Sequence, residues 1–257
     1  APPTPTPPPT VPLLPESVPA AIAPNLAGIV GMTPTPEAQL GIGHLRPSNL
    51  TSLAGQNWRS SPLLYADWLR SIALPIYAAP GGDLWAWLIN GWLMVAGADP
   101  LAVGQDASFW MVQAGRGLYS FPVMEVRSDG WFRFQYTPLG TAWSHVAYLN
   151  LGALGLTLES WEDHLETADR IQFRKHGLSQ PLRSGPQGTG RLRSLVSSHS
   201  LIRPLEVQGD WVRVQVTQPV AGCTPLPGST TEEGWMRWRD ANQTLLVWFG
   251  TEEGCTR

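Results

Sequence analysis

The densest group of chemically capable side chains is Glu162-Asp163-His164 with Glu166. Carboxylates and an imidazole this close together offer ligands for a divalent cation, or an acid and a base for proton transfer. The surrounding stretch LTLESWEDHLETADRI places Leu158, Trp161, Leu165, Ala168 and Ile171 on one helical face, so the acids fall on the other. A charged run in that position is ordinarily the solvated face of an amphipathic helix. The histidines at 44, 145, 164, 176 and 199 have no HExxH or related metal-ligand spacing, and neither GxSxG nor GK[ST] occurs. No catalytic residue, metal ligand or cofactor is therefore assigned. The enzymatic alternative rests on the Glu162–Glu166 cluster alone.

Cys223 and Cys255 are the only cysteines. Two thiols make a poor zinc site when the nearest histidine, His199, stands well upstream without finger-like spacing. A Cys223–Cys255 disulfide is expected instead. In the chain-entropy description such a loop contributes about 3–4 kcal/mol. It also places the protein in an oxidising, extracytoplasmic compartment, either secreted or at a cell surface or periplasmic face.

Tryptophan is the outstanding composition signal, with 13 in the chain. Trp85, Trp87 and Trp92 crowd a predicted hairpin, where they serve either as a contact platform for a sugar, peptide or proline-rich ligand or as bulk that lets a small β-domain bury enough area.

The elements that must carry these groups read as a proline-rich arm followed by two β-regions. Residues 1–50 form the arm: nine prolines lie in the first 20 residues and no basic residue precedes Arg46. Proline supplies no N–H to a sheet or helix, so an extended polyproline II conformation is expected. Such an arm holds the globular part off a surface, or docks Val11, Leu13, Leu14, Val18, Ile22, Leu26, Ile29 and Val30 on the same chain or a neighbour. The start of the chain reads as a mature N-terminus, since no basic n-region precedes the prolines.

Residues 51–73 read as a linker with a short helix over 62–72, begun by Ser61-Pro62. Residues 74–156 read as a first β-domain with an insertion at about 97–117, and Asn90-Gly91 is its strongest hairpin signal. Strands are expected at Leu84–Ile89, Trp92–Val95, Leu118–Val126, Trp131–Tyr136 and Trp143–Leu149. Residues 157–171 read as a linker helix, and residues 172–257 as a second β-domain.

The β-regions repeat one another. GWFRFQY at Gly130–Tyr136 returns as DWVRVQV at Asp210–Val216. PVMEVRSDGW (Pro122–Trp131) answers PLEVQGDW (Pro204–Trp211), and GTAWSHVAYLN (Gly140–Asn150) answers EGWMRWRDAN (Glu233–Asn242). IYAAPGGD (Ile76–Asp83) answers LRSGPQGTG (Leu182–Gly190). Alternation puts Val212, Val214 and Val216 toward a core, with Phe132, Phe134 and Tyr136 taking that role in the first copy. The first core should therefore be bulkier.

These blocks resemble the bacterial SH3-like domain, SH3b. The second copy carries Leu182-Arg183-Ser184-Gly185-Pro186, Gly209-Asp210-Trp211-Val212-Arg213-Val214 and Gly234-Trp235-Met236, each similar to a family phrase. The first copy departs with Ala78-Ala79 and Ala142-Trp143-Ser144. The resemblance spans roughly residues 75–257 and implies a mainly β protein of two small SH3-like barrels joined by a helix. Trp143, Trp235 and Arg183 join Trp85, Trp87 and Trp92 as candidate binding residues.

Composition narrows the partners. With 17 Lys plus Arg against 20 Asp plus Glu, net charge −3 and 14% charged residues, no field suited to phosphate backbones exists, so nucleic acid is not expected. Leu84–Ala98 is too short to span a bilayer and is interrupted by Asn90-Gly91, so no membrane span is expected. The reading is a non-catalytic binding or structural protein, an accessory subunit of a cell-surface or membrane-associated assembly. Its partners would be proteins or copies of itself, met through the arm and the apolar first domain. The alternative is a peptidoglycan-binding module of the cell wall.

Overall fold

The computed structural model describes residues 14–15, 18–19, 23, 31–32, 34–49, 68–102, 110–115 and 117–250. The elements in chain order are β1 (Gly31–Met32), β2 (Gly43–Pro47), β3 (Ala73–Tyr77), β4 (Leu84–Ile89), β5 (Trp92–Val95), β6 (Leu101–Ala102), β7 (Met111–Gly115), β8 (Leu118–Val126), β9 (Trp131–Gln135) and β10 (Thr141–His145). They continue with β11 (Leu156–Ser160), α1 (Trp161–Thr167), β12 (Ile171–Phe173), β13 (Gln180–Arg183), β14 (Leu192–Val196), β15 (Leu201–Gln208), β16 (Trp211–Ala221), β17 (Thr224–Arg237) and β18 (Val247–Phe249). The fold is mainly β, in two antiparallel sheets. Among the described residues no helix is long and apolar enough to cross a membrane.

The chain forms two compact units that interleave in sequence. The first takes its described residues from Ala1–Gly31, His44–Met111 and Phe121–Leu158, the second from Met32–Gly43, Val112–Ser120 and Glu159–Arg257. The second unit takes in Val112–Ser120, which overlaps the end of the stretch read as an insertion and the start of the strand expected over Leu118–Val126; there Val112 pairs with Ser120 and Gln113 with Tyr119.

In the first unit the strand order is β8-β9-β10-β3-β4-β5-β6. Asn90 and Gly91 have φ of 50° and 78°, the left-handed pair that a two-residue hairpin turn requires, and Ile89 pairs with Trp92 across it. Phe132 and Phe134 are fully buried with Phe121 and Trp68. Phe121 lies 5.6 Å from Phe134 and 6.0 Å from Trp68, ring centre to ring centre, so this core is aromatic. Tyr136 departs from the valine pattern: β9 ends at Gln135, and the half-buried Tyr136 ring packs 5.8 Å from Trp85.

In the second unit the order is β14-β13-β17-β16-β15-β12-β18. Val212, Val214, Val216, Leu182 and Met236 fill its core. Neither sheet closes into a barrel. In the second unit a side chain bridges where a ladder does not: Gln218 on β16 donates to the Leu195 carbonyl of β14 at 3.0 Å and accepts from the Ser200 hydroxyl at 2.6 Å.

The repeated phrases occupy equivalent places. Phe132, Arg133 and Phe134 face Ser144, Trp143 and Ala142; Val212, Arg213 and Val214 face Met236, Trp235 and Gly234. Trp143 then pairs with Tyr77, and Trp235 with Arg183. Each copy also has a bulge just before its glutamate, between Val123 and Glu125 and between Pro204 and Glu206.

Three local expectations are corrected. The helix is confined to Trp161–Thr167, because Leu156–Ser160 is extended and the Ser160 hydroxyl caps the helix by accepting from Asp163 N at 3.0 Å. The strand expected over Trp143–Leu149 runs over Thr141–His145 and gives way to a 3-10 turn, Val146–Tyr148, where His145 Nδ1 accepts from Ala147 N. Of the helix expected over 62–72, residues 68–71 form a 3-10 turn and residues 62–67 lie outside the described residues.

Candidate functional site

Alternation along β9 and β16 leaves one face of each repeated sheet with the polar and aromatic side chains. On that face of the first unit a row crosses four strands: Glu125, Arg133, Trp143 and Tyr77. Arg133 reaches Glu125 at 3.4 Å, and its guanidinium carbon lies 5.7 Å from the Trp143 ring centre. The second unit repeats the row as Glu206, Arg213, Trp235 and Arg183. Here Arg213 sits between Glu206 at 3.1 Å and Glu233 at 3.6 Å, while Arg183 Nη1 donates to the Gly190 carbonyl. Trp143, Trp235 and Arg183 thus hold equivalent or adjoining positions. Tyr77 is buried, which raises its pKa, and Tyr148 beside it pushes the same way.

Trp85, Trp87 and Trp92 share a face of the β4–β5 hairpin: Trp85 and Trp87 alternate along β4, and the pairs Trp87–Met94 and Ile89–Trp92 keep the third ring on the same side. Trp87 is closed off, 3% exposed, and packs with Ala73, Ile89, Met94 and Leu151. Trp85 and Trp92 are half-buried. The Trp92 indole N–H donates to the Ala23 carbonyl of the N-terminal arm at 2.8 Å.

The second unit holds arm backbone by a different donor. Thr35–Ala38 makes a turn in which Ala38 N donates to Thr35 O at 3.1 Å, with Pro36 at the position where proline's fixed φ suits a turn. Arg174 Nη2 donates to Thr35 O at 2.6 Å and Ala38 O at 3.0 Å, while Nη1 donates to Leu245 O at 3.3 Å. Partial burial holds the Arg174 pKa below its usual value, and Glu37 acts in the opposite direction. Pro34 is buried beside this clamp. A cleft of about 330 Å³ opens there, lined among others by Pro34, Pro36, Phe173, Lys175, His176 and Trp248.

The acidic cluster does not converge. Asp163 accepts from the Ser160 hydroxyl at 2.7 Å as part of the helix cap. Glu162 lies 3.5 Å from Arg239, which is itself bonded to Asp210 at 2.6 Å. That arginine bond is the largest cause holding the Asp210 carboxyl below its usual pKa. His164 turns the other way, with its ring nitrogens 2.9 Å from Glu159 Oε2 and 2.5 Å from Ala114 O, so it ties α1 to β7. Glu166 is exposed.

Cys223 stands at the turn joining the long strands β16 and β17, where Arg170 Nη1 approaches its sulfur at 3.2 Å. Cys255 lies outside the described residues, and the pairing of the two stays an expectation.

Arg174 and Gln218 were not among the residues singled out in the sequence. A signal for Arg174 exists, since Arg174-Lys175-His176 is a run of three basic side chains in a chain with few. Gln218 has none, because its role depends on which strands the fold brings together. No protein-family model, curated protein or solved structure matches this chain.

Proposed function

We propose that this is a non-catalytic, extracytoplasmic protein that works through protein contacts, as an accessory or structural subunit of a cell-surface or membrane-associated assembly. Two SH3-like modules and a proline-rich arm supply those contacts. The observation that carries the reading is the clamp of Arg174 on the Thr35 and Ala38 carbonyls. A proline-rich strand lacks many N–H donors but keeps every carbonyl, so a surface that grips it must present donors. Arg174 in one unit and Trp92 in the other each do so toward the arm. The SH3-like assignment is supported by the shared register and shared bulge of the two copies, although their ladders are open.

The test is the size of the native species in extracts of its own cells. A subunit should migrate well above the mass of one chain and fall to that of a monomer when residues 1–30 are deleted. Migration as a monomer with and without the arm would exclude the reading. The extracytoplasmic assignment rests on the Cys223–Cys255 bridge, which predicts that neither cysteine of the purified protein is alkylated until a reductant is added. Alkylation of both without reductant refutes it.

A second reading, a peptidoglycan-binding module, is favoured by the duplicated Glu-Arg-Trp rows, where an aromatic ring beside paired charges suits a ligand of linked sugars and short peptides. Co-sedimentation with purified peptidoglycan, lost on Trp143→Ala with Trp235→Ala, is its expected result. Failure of the intact protein to sediment removes it.

A further inference from the structure

We infer that the open part of the cleft beside Pro34 takes the proline-rich first twenty residues of a second copy of this chain. The inference rests on the reading that the units grip proline-bearing backbone.

The docked turn at Thr35–Ala38 gives the chemistry of the contact: carbonyls meet a cationic donor and a proline is buried. The cleft continues that chemistry. Lys175 and His176 are exposed on its wall, Phe173 is half-buried, and Ile202 and Trp248 form a closed apolar floor. A ligand rich in carbonyls and poor in N–H groups satisfies such a wall better than an ordinary strand, which would leave its own N–H donors facing cations.

Charge points the same way. The proposed occupant, residues 1–20, carries Glu16 and no Lys, Arg or His, whereas the cleft is edged by Arg174-Lys175-His176. Opposite signs steer and orient the encounter. Two apolar arm residues are also uncovered, Leu14 at 54% and Val18 at 55% exposed. They sit among prolines that preset an extended backbone, so little ordering entropy opposes docking.

The occupant is assigned to another copy because each chain's own arm is already engaged at Ala23, whose carbonyl accepts from Trp92. The cleft belongs to the second unit. Each chain therefore offers one arm and one cleft, and the contact is head to tail.

The test titrates a fluorescein-labelled peptide of residues 1–20 against the full chain and follows anisotropy, with sedimentation velocity on the unlabelled chain over a range of concentrations. The peptide is expected to bind, to weaken about tenfold on Lys175→Glu with His176→Glu, and to weaken with added salt. The chain is expected to sediment faster as concentration rises, and Leu14→Asp with Val18→Asp should hold it as a monomer. Exposed positions are chosen so that folding is preserved, and melting curves of the variants check this. No peptide binding, binding unaffected by the charge reversal, or a monomer at every concentration overturns the inference. The reading beneath it fails separately, if Arg174→Gln leaves the Ala38 amide as protected from exchange as in the parent chain.

Discussion

Replacing Arg174 by alanine should free the segment Pro34–Ala38 without unfolding the unit that carries it. The guanidinium makes two short bonds to arm carbonyls, 2.6 and 3.0 Å, and a longer one of 3.3 Å to Leu245. Hydrogen bonds from a charged donor contribute about 1.5–3 kcal/mol each. The low end applies, because burial of the cation opposes them. Thr35 O keeps its second donor, Ala38 N, so it is not orphaned. Two bonds at the low end give about 3 kcal/mol for the docking of this turn, or roughly a hundredfold rise in its open population. The readout is cleavage at the exposed Glu37 by a glutamate-specific protease, under conditions where cutting is slow and the rate tracks the open fraction. Cleavage should rise by about that factor in Arg174→Ala, and by less in Arg174→Lys, which keeps the charge but loses the planar fork. Unchanged cleavage in Arg174→Ala refutes the clamp.

Other consequences are local to one unit or the other. Gly234→Ala should cost about 1–3 kcal/mol in urea unfolding, because a Cβ there would lie 2.6 Å from Leu182 Cγ and 2.7 Å from the Arg183 carbonyl. The equivalent first-copy residue is already Ala142, which is buried, so Ala142→Gly should cost about 1–2 kcal/mol, from backbone entropy and the lost burial of one methyl. His164→Ala should lose about 1–3 kcal/mol by removing the contacts of its ring nitrogens with the Glu159 carboxylate and the Ala114 carbonyl, measured by the same unfolding. Asp210 is held below its unfolded pKa by Arg239, so it stabilises the fold above pH of about 4 and loses that effect as pH falls through the lower folded value. Asp210→Asn should therefore flatten the acid limb of a stability-against-pH curve and leave its alkaline limb unchanged.

The sequence made the hairpin at Asn90-Gly91 and the alternation in both repeated strands readable, because turn chemistry and period-two burial are local. The repeat itself was equally plain, and the structure adds that even its bulges coincide, a feature hidden in the extra residue Met124 or Leu205 between proline and Glu-Val. What could not be read was set by distant partners. Residues 32–43 and 112–120 join the second unit although the chain places them before or within the first β-region. Whether Trp87 is a contact surface or core bulk could not be read from the hairpin alone, and the structure covers it with its cross-strand partner Met94 and with Leu151 from farther along the chain. The Glu162–Glu166 run looked like one cluster in sequence, yet a cap, an ion pair and an inward-facing imidazole pull its members apart.

Contact of the arm and the units with other chains can be read by photo-crosslinking in the cells that make the protein. A photoreactive residue would be placed at Val18, whose side chain is 55% exposed. A defined adduct with another polypeptide chain is expected, diminished when Lys175 and His176 are both changed to glutamate if that chain is a second copy. Crosslinks confined to the same chain, or none at all, would contradict it.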